Sequence, residues 1–131
     1  MKTFSMIGLL APCLLASGCL PDLTGDCGTT VLSRVPNPEN GHNNFHGPIA
    51  EVIQQNCGAT VALITSVRLM NSDNKPLAGD GTVFANYHGS PEISVQWKDK
   101  DTLLISCPDC KDQNITLKTV KFNFTNIQYS N

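Results

Sequence analysis

The sequence predicts an all-β domain, an antiparallel sheet curled into a small sandwich or open barrel of six to eight strands. Three observations point there. Apolar and polar residues alternate with period two in several runs, which sends every second side chain to one face of a strand. Gly, Pro, Asn and Asp break those runs at short intervals, as turns between strands do. Only 15% of the residues are charged against 40% hydrophobic. That is too little charge for a coiled coil or a disordered acidic tail. A chain of 131 residues has the length of one domain.

The elements can be read in chain order. Pro36 to Asn44 is a long polar loop. Ile49 to Gln55 reads as a strand through Val52 and Ile53, although Pro48 and Ala50-Glu51 also fit one or two turns of helix. Thr60 to Met70 is rich in β-branched residues and reads as a strand. Loops at Asn71–Pro76 and Gly79–Gly81 lead to a short strand at Thr82–Tyr87. Glu92 to Trp97 alternates strictly, the charged turn Lys98–Asp101 comes next, and Thr102 to Cys107 is apolar again, the pattern of a hairpin. Ile115–Val120 and Lys121–Tyr129 alternate in turn and read as two strands or one long bent strand.

The first 18 residues have another purpose. Lys2 supplies one positive charge, an apolar stretch of about a dozen residues comes after it, and Ala16-Ser17-Gly18 are small. The stretch is too short to cross a hydrocarbon layer of roughly 30 Å as a helix. It reads as a secretory signal. Leu15-Ala16-Ser17-Gly18-Cys19 resembles the bacterial lipobox. The resemblance implies diacylglycerol on the Cys19 sulfur and cleavage before it. It divides the chain into a signal peptide (1–18), a lipidated tether (19–26) and a single β-domain (27–131). Leu20 stands after the cysteine where Asp would favour inner-membrane retention. The resemblance therefore implies the outer membrane, facing the periplasm, in a Gram-negative cell.

Six cysteines remain to be sorted. Cys13 belongs to the signal and Cys19 to the lipid. Cys27, Cys57, Cys107 and Cys110 form an even set in an oxidising compartment, which reads as two disulfides. Three connectivities exist. The turn Cys107-Pro108-Asp109-Cys110 brings its own two thiols together, which favours that pair and leaves Cys27 with Cys57. Closing a loop of about 30 residues in this way is worth roughly 3–4 kcal/mol in the chain-entropy model. A redox role for Cys107 and Cys110 would call for a helix N-terminus to lower a thiol pKa, and the flanking sequence reads as strand and turn.

Cys27-Gly28, Ser33–Pro38, Ile49–Ile53, Asn56-Cys57-Gly58-Ala59-Thr60, Val95-Gln96-Trp97 and Leu103-Leu104-Ile105 occur in that order. Together they resemble a family of small, uncharacterised bacterial envelope lipoproteins. Its domain carries a Cys-Gly-Ala-Thr strand and a later Val-x-Trp…Leu-x-Ile hairpin. The resemblance covers roughly residues 27 to 106 and implies no activity.

Candidate chemistry is sparse. His42, His46 and His88 are scattered, with no Gly-x-Ser-x-Gly elbow, no His-Glu-x-x-His and no second Cys-x-x-Cys. No catalytic residue, metal site or cofactor is expected. The net charge is −2, and loss of the signal leaves 8 basic residues against 11 acidic. No basic block exists to hold nucleic acid. Trp97 reads first as a core anchor and second as part of an exposed binding patch. His42 and His46 are binding candidates in the polar loop. The expected function is a membrane-anchored lipoprotein with a non-catalytic binding or structural role, toward an envelope protein or a cell-wall component. The alternatives are an inhibitor or immunity lipoprotein against a toxin or lytic enzyme, and a small redox protein. Replacing Cys19 by Ala tests the anchor. The variant is expected to accumulate as uncleaved or soluble precursor, and normal membrane fractionation would defeat the lipobox reading.

Overall fold

A computed structural model describes residues 27–130 of the chain. The signal, Cys19 and the tether lie outside the described residues. The described residues form two packed sheets, as expected for a sandwich, with no closure into a barrel. The first sheet has the order β1-β2-β3-β4-β7: β1 Gly28–Pro36, β2 Ile49–Asn56, β3 Ile64–Met70, β4 Thr82–Tyr87 and β7 Ile115–Lys118. The second has the order β5-β6-β9-β8: β5 Ser94–Asp99, β6 Thr102–Ser106, β8 Lys121–Phe122 and β9 Thr125–Ser130.

The nine strands among the described residues exceed the six to eight expected, for two reasons. β1 has no clear signature in the sequence, because nearly all of it is exposed and its alternation is broken by a register shift between Val31 and Ser33. Residues 115–130 are neither two strands nor one long bent strand. They are three short strands divided between the sheets. The Thr119 N–H donates to Val83 O of the first sheet at 2.9 Å, while Val120 O accepts from Ile127 N–H of the second at 2.9 Å. The chain changes sheets at that peptide. It returns as β9, parallel to β6, so the pairing is antiparallel throughout except there. Parallel neighbours need a long crossover, and here it passes through the other sheet.

Ile49–Asn56 is strand rather than helix, pairing with β1 and β3 along its length. Two further boundaries move. β3 begins at Ile64 rather than Thr60, and Cys57-Gly58-Ala59-Thr60 lies in the turn that joins β2 to β3, not in a strand. Gly58 has φ +127, which no β-branched or bulky residue would adopt there. The disulfides are Cys27–Cys57 and Cys107–Cys110.

The core lies between the sheets. Ala50, Val52, Val67, Leu69, Val83 and Phe84 from the first sheet meet Trp97, Leu103, Ile105 and Ile127 from the second, with Ile93 from the loop before β5. Leu103 and Leu69 are wholly buried, and each such side chain gains roughly 1.5–3 kcal/mol by leaving water.

The register fixes two poles. Gly28 pairs with Asn56 and Pro36 with Ile49, so β1 climbs from the Cys27–Cys57 disulfide to the opposite end. Eight strand steps make this rise roughly 26 Å. Ser94, Ser106 and Ser130 share the lower end of the second sheet. The connections after β1, β3, β5 and β8 gather at the upper end.

Tyr129 fastens the sheet change. Its hydroxyl donates to Thr119 O at 2.6 Å, its ring packs on Phe84 at 5.7 Å, and Lys118 Nζ lies 4.8 Å from the ring centre. Burial disfavours the phenolate and pushes its pKa up to about 12. In the unfolded chain the phenol ionises near its ordinary value of 10.0. The unfolded state therefore loses its proton first as pH rises. The stabilisation is fully present below about pH 10 and is lost between about 10 and 12. Melting temperature against pH should fall over that window, and Tyr129→Phe should remove part of the fall.

Candidate functional site

The upper pole carries the residues with most to offer a partner. Its largest element is the loop from Asn37 to Gly47, which holds its shape with its own bonds. Asn37 Oδ1 accepts from Glu39 N–H at 3.0 Å, and Asn40 Oδ1 accepts from Gly47 N–H. Backbone bonds run from His42 N–H to Glu39 O at 3.1 Å and from Phe45 N–H to His42 O at 2.9 Å. Gly41, Asn43 and Asn44 all have positive φ, at 90°, 53° and 58°. Asn is the non-glycine residue that tolerates this region best, so the Gly/Asn richness of the loop reflects its geometry. A Cβ on Gly47 would sit 2.6 Å from Phe45 Cε1, so the Phe45 ring lies against bare backbone there.

Two contacts root the loop on the second sheet. Asn37 is buried, and its Nδ2 donates to Lys100 O in the β5–β6 turn at 2.8 Å. Trp97 Nε1 donates to Val35 O at 2.9 Å, just before the loop begins. Trp97 is only 8% exposed and belongs to the core cluster. It is the anchor of the two candidate readings and forms no exposed patch. It acts on the pole from beneath.

His42 and His46 are exposed on the loop, whereas His88 lies at the opposite pole beside Tyr87. The structure does not bring the three together. Among the described residues no group of three or more His, Cys, Asp or Glu could hold a metal ion. The aspartates cap turns: Asp99 Oδ1 accepts from Asp101 N–H at 2.9 Å, and Asp80 Oδ1 accepts from Thr82 N–H at 3.0 Å. The Lys100–Asp101 ion pair, 3.3 Å long and half exposed, adds little to stability.

Sequence reasoning missed the most conspicuous side chain at this pole. β8 and β9 are joined by the two-residue turn Asn123-Phe124, because Phe122 pairs directly with Thr125. Asn123 has φ 55° and suits such a turn. Phe124 does not: the position favours Gly or a small polar residue, and the ring is 91% exposed. Folding takes little of it out of water. The sequence signal was the Asn-Phe pair itself, hidden inside what reads as continuous alternation. Beside Phe124 lies a groove of about 230 Å³, bordered by Phe45, Pro48, Leu77, Lys100 and Asp101.

The lower pole holds a wider, polar cleft of about 590 Å³ among His88, Ser90, Glu92, Asp109 and Lys111. Asp109 is placed there by the Cys107–Cys110 turn, closed by Cys110 N–H donating to Cys107 O at 3.1 Å. After this disulfide the chain makes a single 3-10 turn, Asp112–Asn114, and enters β7. Both sulfur-bearing residues pack against the core. No protein-family model, curated protein or solved structure matches the chain.

Trp97→Phe tests the rooting of the loop. It keeps an aromatic side chain at the position but removes the indole N–H and part of the buried ring volume, leaving Val35 O without its partner and a small gap in the core. A loss of about 1–3 kcal/mol in chemical denaturation is expected, together with faster amide exchange in the Asn37–Gly47 loop. Unchanged exchange there would show that the indole N–H does not hold the loop.

Proposed function

We propose that this chain is a lipid-anchored binding protein of the bacterial envelope, without catalytic activity of its own, that engages another envelope protein through its upper pole. Phe124 carries the reading. A large aromatic side chain, 91% exposed on a tight turn that prefers a smaller residue, has a use outside the fold. Aromatic residues supply much of the energy at protein interfaces when a partner's pocket removes them from water. The turn fixes its backbone, so little freedom is lost on binding.

The placement of the anchor agrees. With lipid on Cys19, the tether to Cys27 spans at most about 27 Å. Cys27 is bonded to Cys57 at the lower pole. The upper pole is then the end turned away from the membrane. The apolar groove and the Asn37–Gly47 loop lie on that same end.

A second reading draws on the loop itself. Its internal bonds pre-organise an exposed segment, which is what an inhibitor or immunity lipoprotein needs to block an incoming toxin or lytic enzyme. It would use the same pole. The redox alternative has less support, because a strand, a 3-10 turn and another strand surround Cys107 and Cys110 in place of the helix N-terminus that activates such thiols.

In cells, a photo-crosslinking phenylalanine analogue at position 124 should give a discrete protein adduct in the envelope fraction. The same analogue at Gln113, near the other pole, should give none. Phe124→Ala should change stability by less than about 0.5 kcal/mol, as expected for an exposed side chain, and should abolish partner capture through the loop. Adducts from position 113 alone, or from neither, would defeat the proposal.

A further inference from the structure

Both arginines of the chain converge on one carboxylate. Strand register brings this about, since Arg34, Glu51 and Arg68 are direct neighbours across β1, β2 and β3. They lie on the face of the first sheet turned away from the second. Ala50, Val52, Val67 and Leu69 alternate with them and belong to the inter-sheet core, whereas Ile49, Ile53 and Met70, on the side of Glu51, stand outside it.

The three side chains divide the bonding unequally. Glu51 keeps only 4% of its side-chain surface exposed, and each of its oxygens takes one guanidinium. Arg34 donates from Nη1 to Oε2 and from Nη2 to Asn74 Oδ1 at 2.6 Å. Arg68 donates from Nε to Oε1 at 2.8 Å. Among the described residues, the Nη1–Nη2 edge of Arg68 has no acceptor, and its side chain keeps 24% of its surface exposed.

One guanidinium neutralises one carboxylate. The second leaves the cluster at +1 on a chain of net charge −2. We propose that Arg68 is the centre of an oxyanion site, which takes a planar carboxylate or a tetrahedral phosphate end-on at Nη1 and Nη2. Glu51 holds the guanidinium in place through Nε, so the fork is pre-organised and the rotamer entropy has already been lost in folding. A bidentate, charge-assisted pair on a fixed Arg is the geometry in which this residue binds such groups best. Arg34 offsets the field of Glu51, which would otherwise repel an incoming anion. The site lies on the outer face of the first sheet, reaches the connection after β3 through the Arg34–Asn74 bond, and does not rest on the proposed upper-pole reading.

The presence of only two arginines makes the test direct. The full-length chain should show two Nε–Hε resonances in a nitrogen–proton NMR spectrum, with that of Arg68 identified by its loss in Arg68→Lys. Inorganic phosphate and, separately, acetate are added at constant ionic strength. The Arg68 resonance should move along a saturating curve with at least one of them, and the tighter probe names the class of anion. Phosphate or acetate should also raise the melting temperature of the wild-type chain and leave that of Arg68→Gln unmoved. Absent or linear shifts with both probes overturn the site. So does a saturating shift confined to Arg34, or a thermal response that survives Arg68→Gln unchanged.

Discussion

Of the two side-chain bonds that tie the sheets at the upper end, that of Trp97 is the one on which the other depends. Trp97 fills the space between β1 and β5 with its ring and spends its only donor on Val35 O, across the sandwich. A buried indole N–H without a partner would be costly, and so would a buried carbonyl. The single bond satisfies both and sets where β1 ends relative to β5. Pro36 and Asn37 come immediately after, and the Asn37 side chain then reaches Lys100 O. The loop, the β5–β6 turn and the groove between them inherit their relative positions from that contact. On the opposite face of the first sheet the constraint is electrostatic. Buried Glu51 is tolerable only because charged donors occupy both of its oxygens.

The features legible in the sequence are those that depend on local pattern. The β5–β6 hairpin is readable because Val95, Trp97, Leu103 and Ile105 keep period two on either side of a charged turn. The Cys107–Cys110 disulfide is readable because four residues of turn allow no other geometry as easily, and Cys27–Cys57 is then left by elimination. β1 is not readable: Leu32 is the extra residue of a bulge, so the alternation that marks a strand fails in its middle. The sheet change at Thr119-Val120 is hidden because alternation continues on both sides of it. Register between distant strands has no sequence signature, and the meeting of Arg34, Glu51 and Arg68 depends wholly on register. Phe124 reads as part of a continuous strand, since nothing in the run Phe122 to Tyr129 announces a two-residue turn.

The division of labour between the poles has its origin in the same topology. Four connections gather at the upper end, and they include the longest loop and the most exposed aromatic ring. The lower end receives both disulfides. On the proposed function, covalent reinforcement sits where a tether would pull, and hydrogen-bonded loops without disulfides sit where a partner would arrive. The loops rely on Asn side chains and positive-φ residues for shape, which fixes a surface without burying it.

The bulge in β1 bears on how many copies can crowd together. β1 is an edge strand, exposed along almost its whole length, with Val31 and Leu32 about half accessible. Such an edge invites a second strand. Two copies pairing through β1 in the favoured antiparallel sense would have to stand head to tail. If the proposed lipid on Cys19 holds the copies in one membrane, they would all rise in the same direction, and only the weaker parallel pairing would be open to them. The extra residue at Leu32 interrupts even that ladder. Confinement to a plane, which raises local concentration, would here also forbid the orientation in which that concentration does harm.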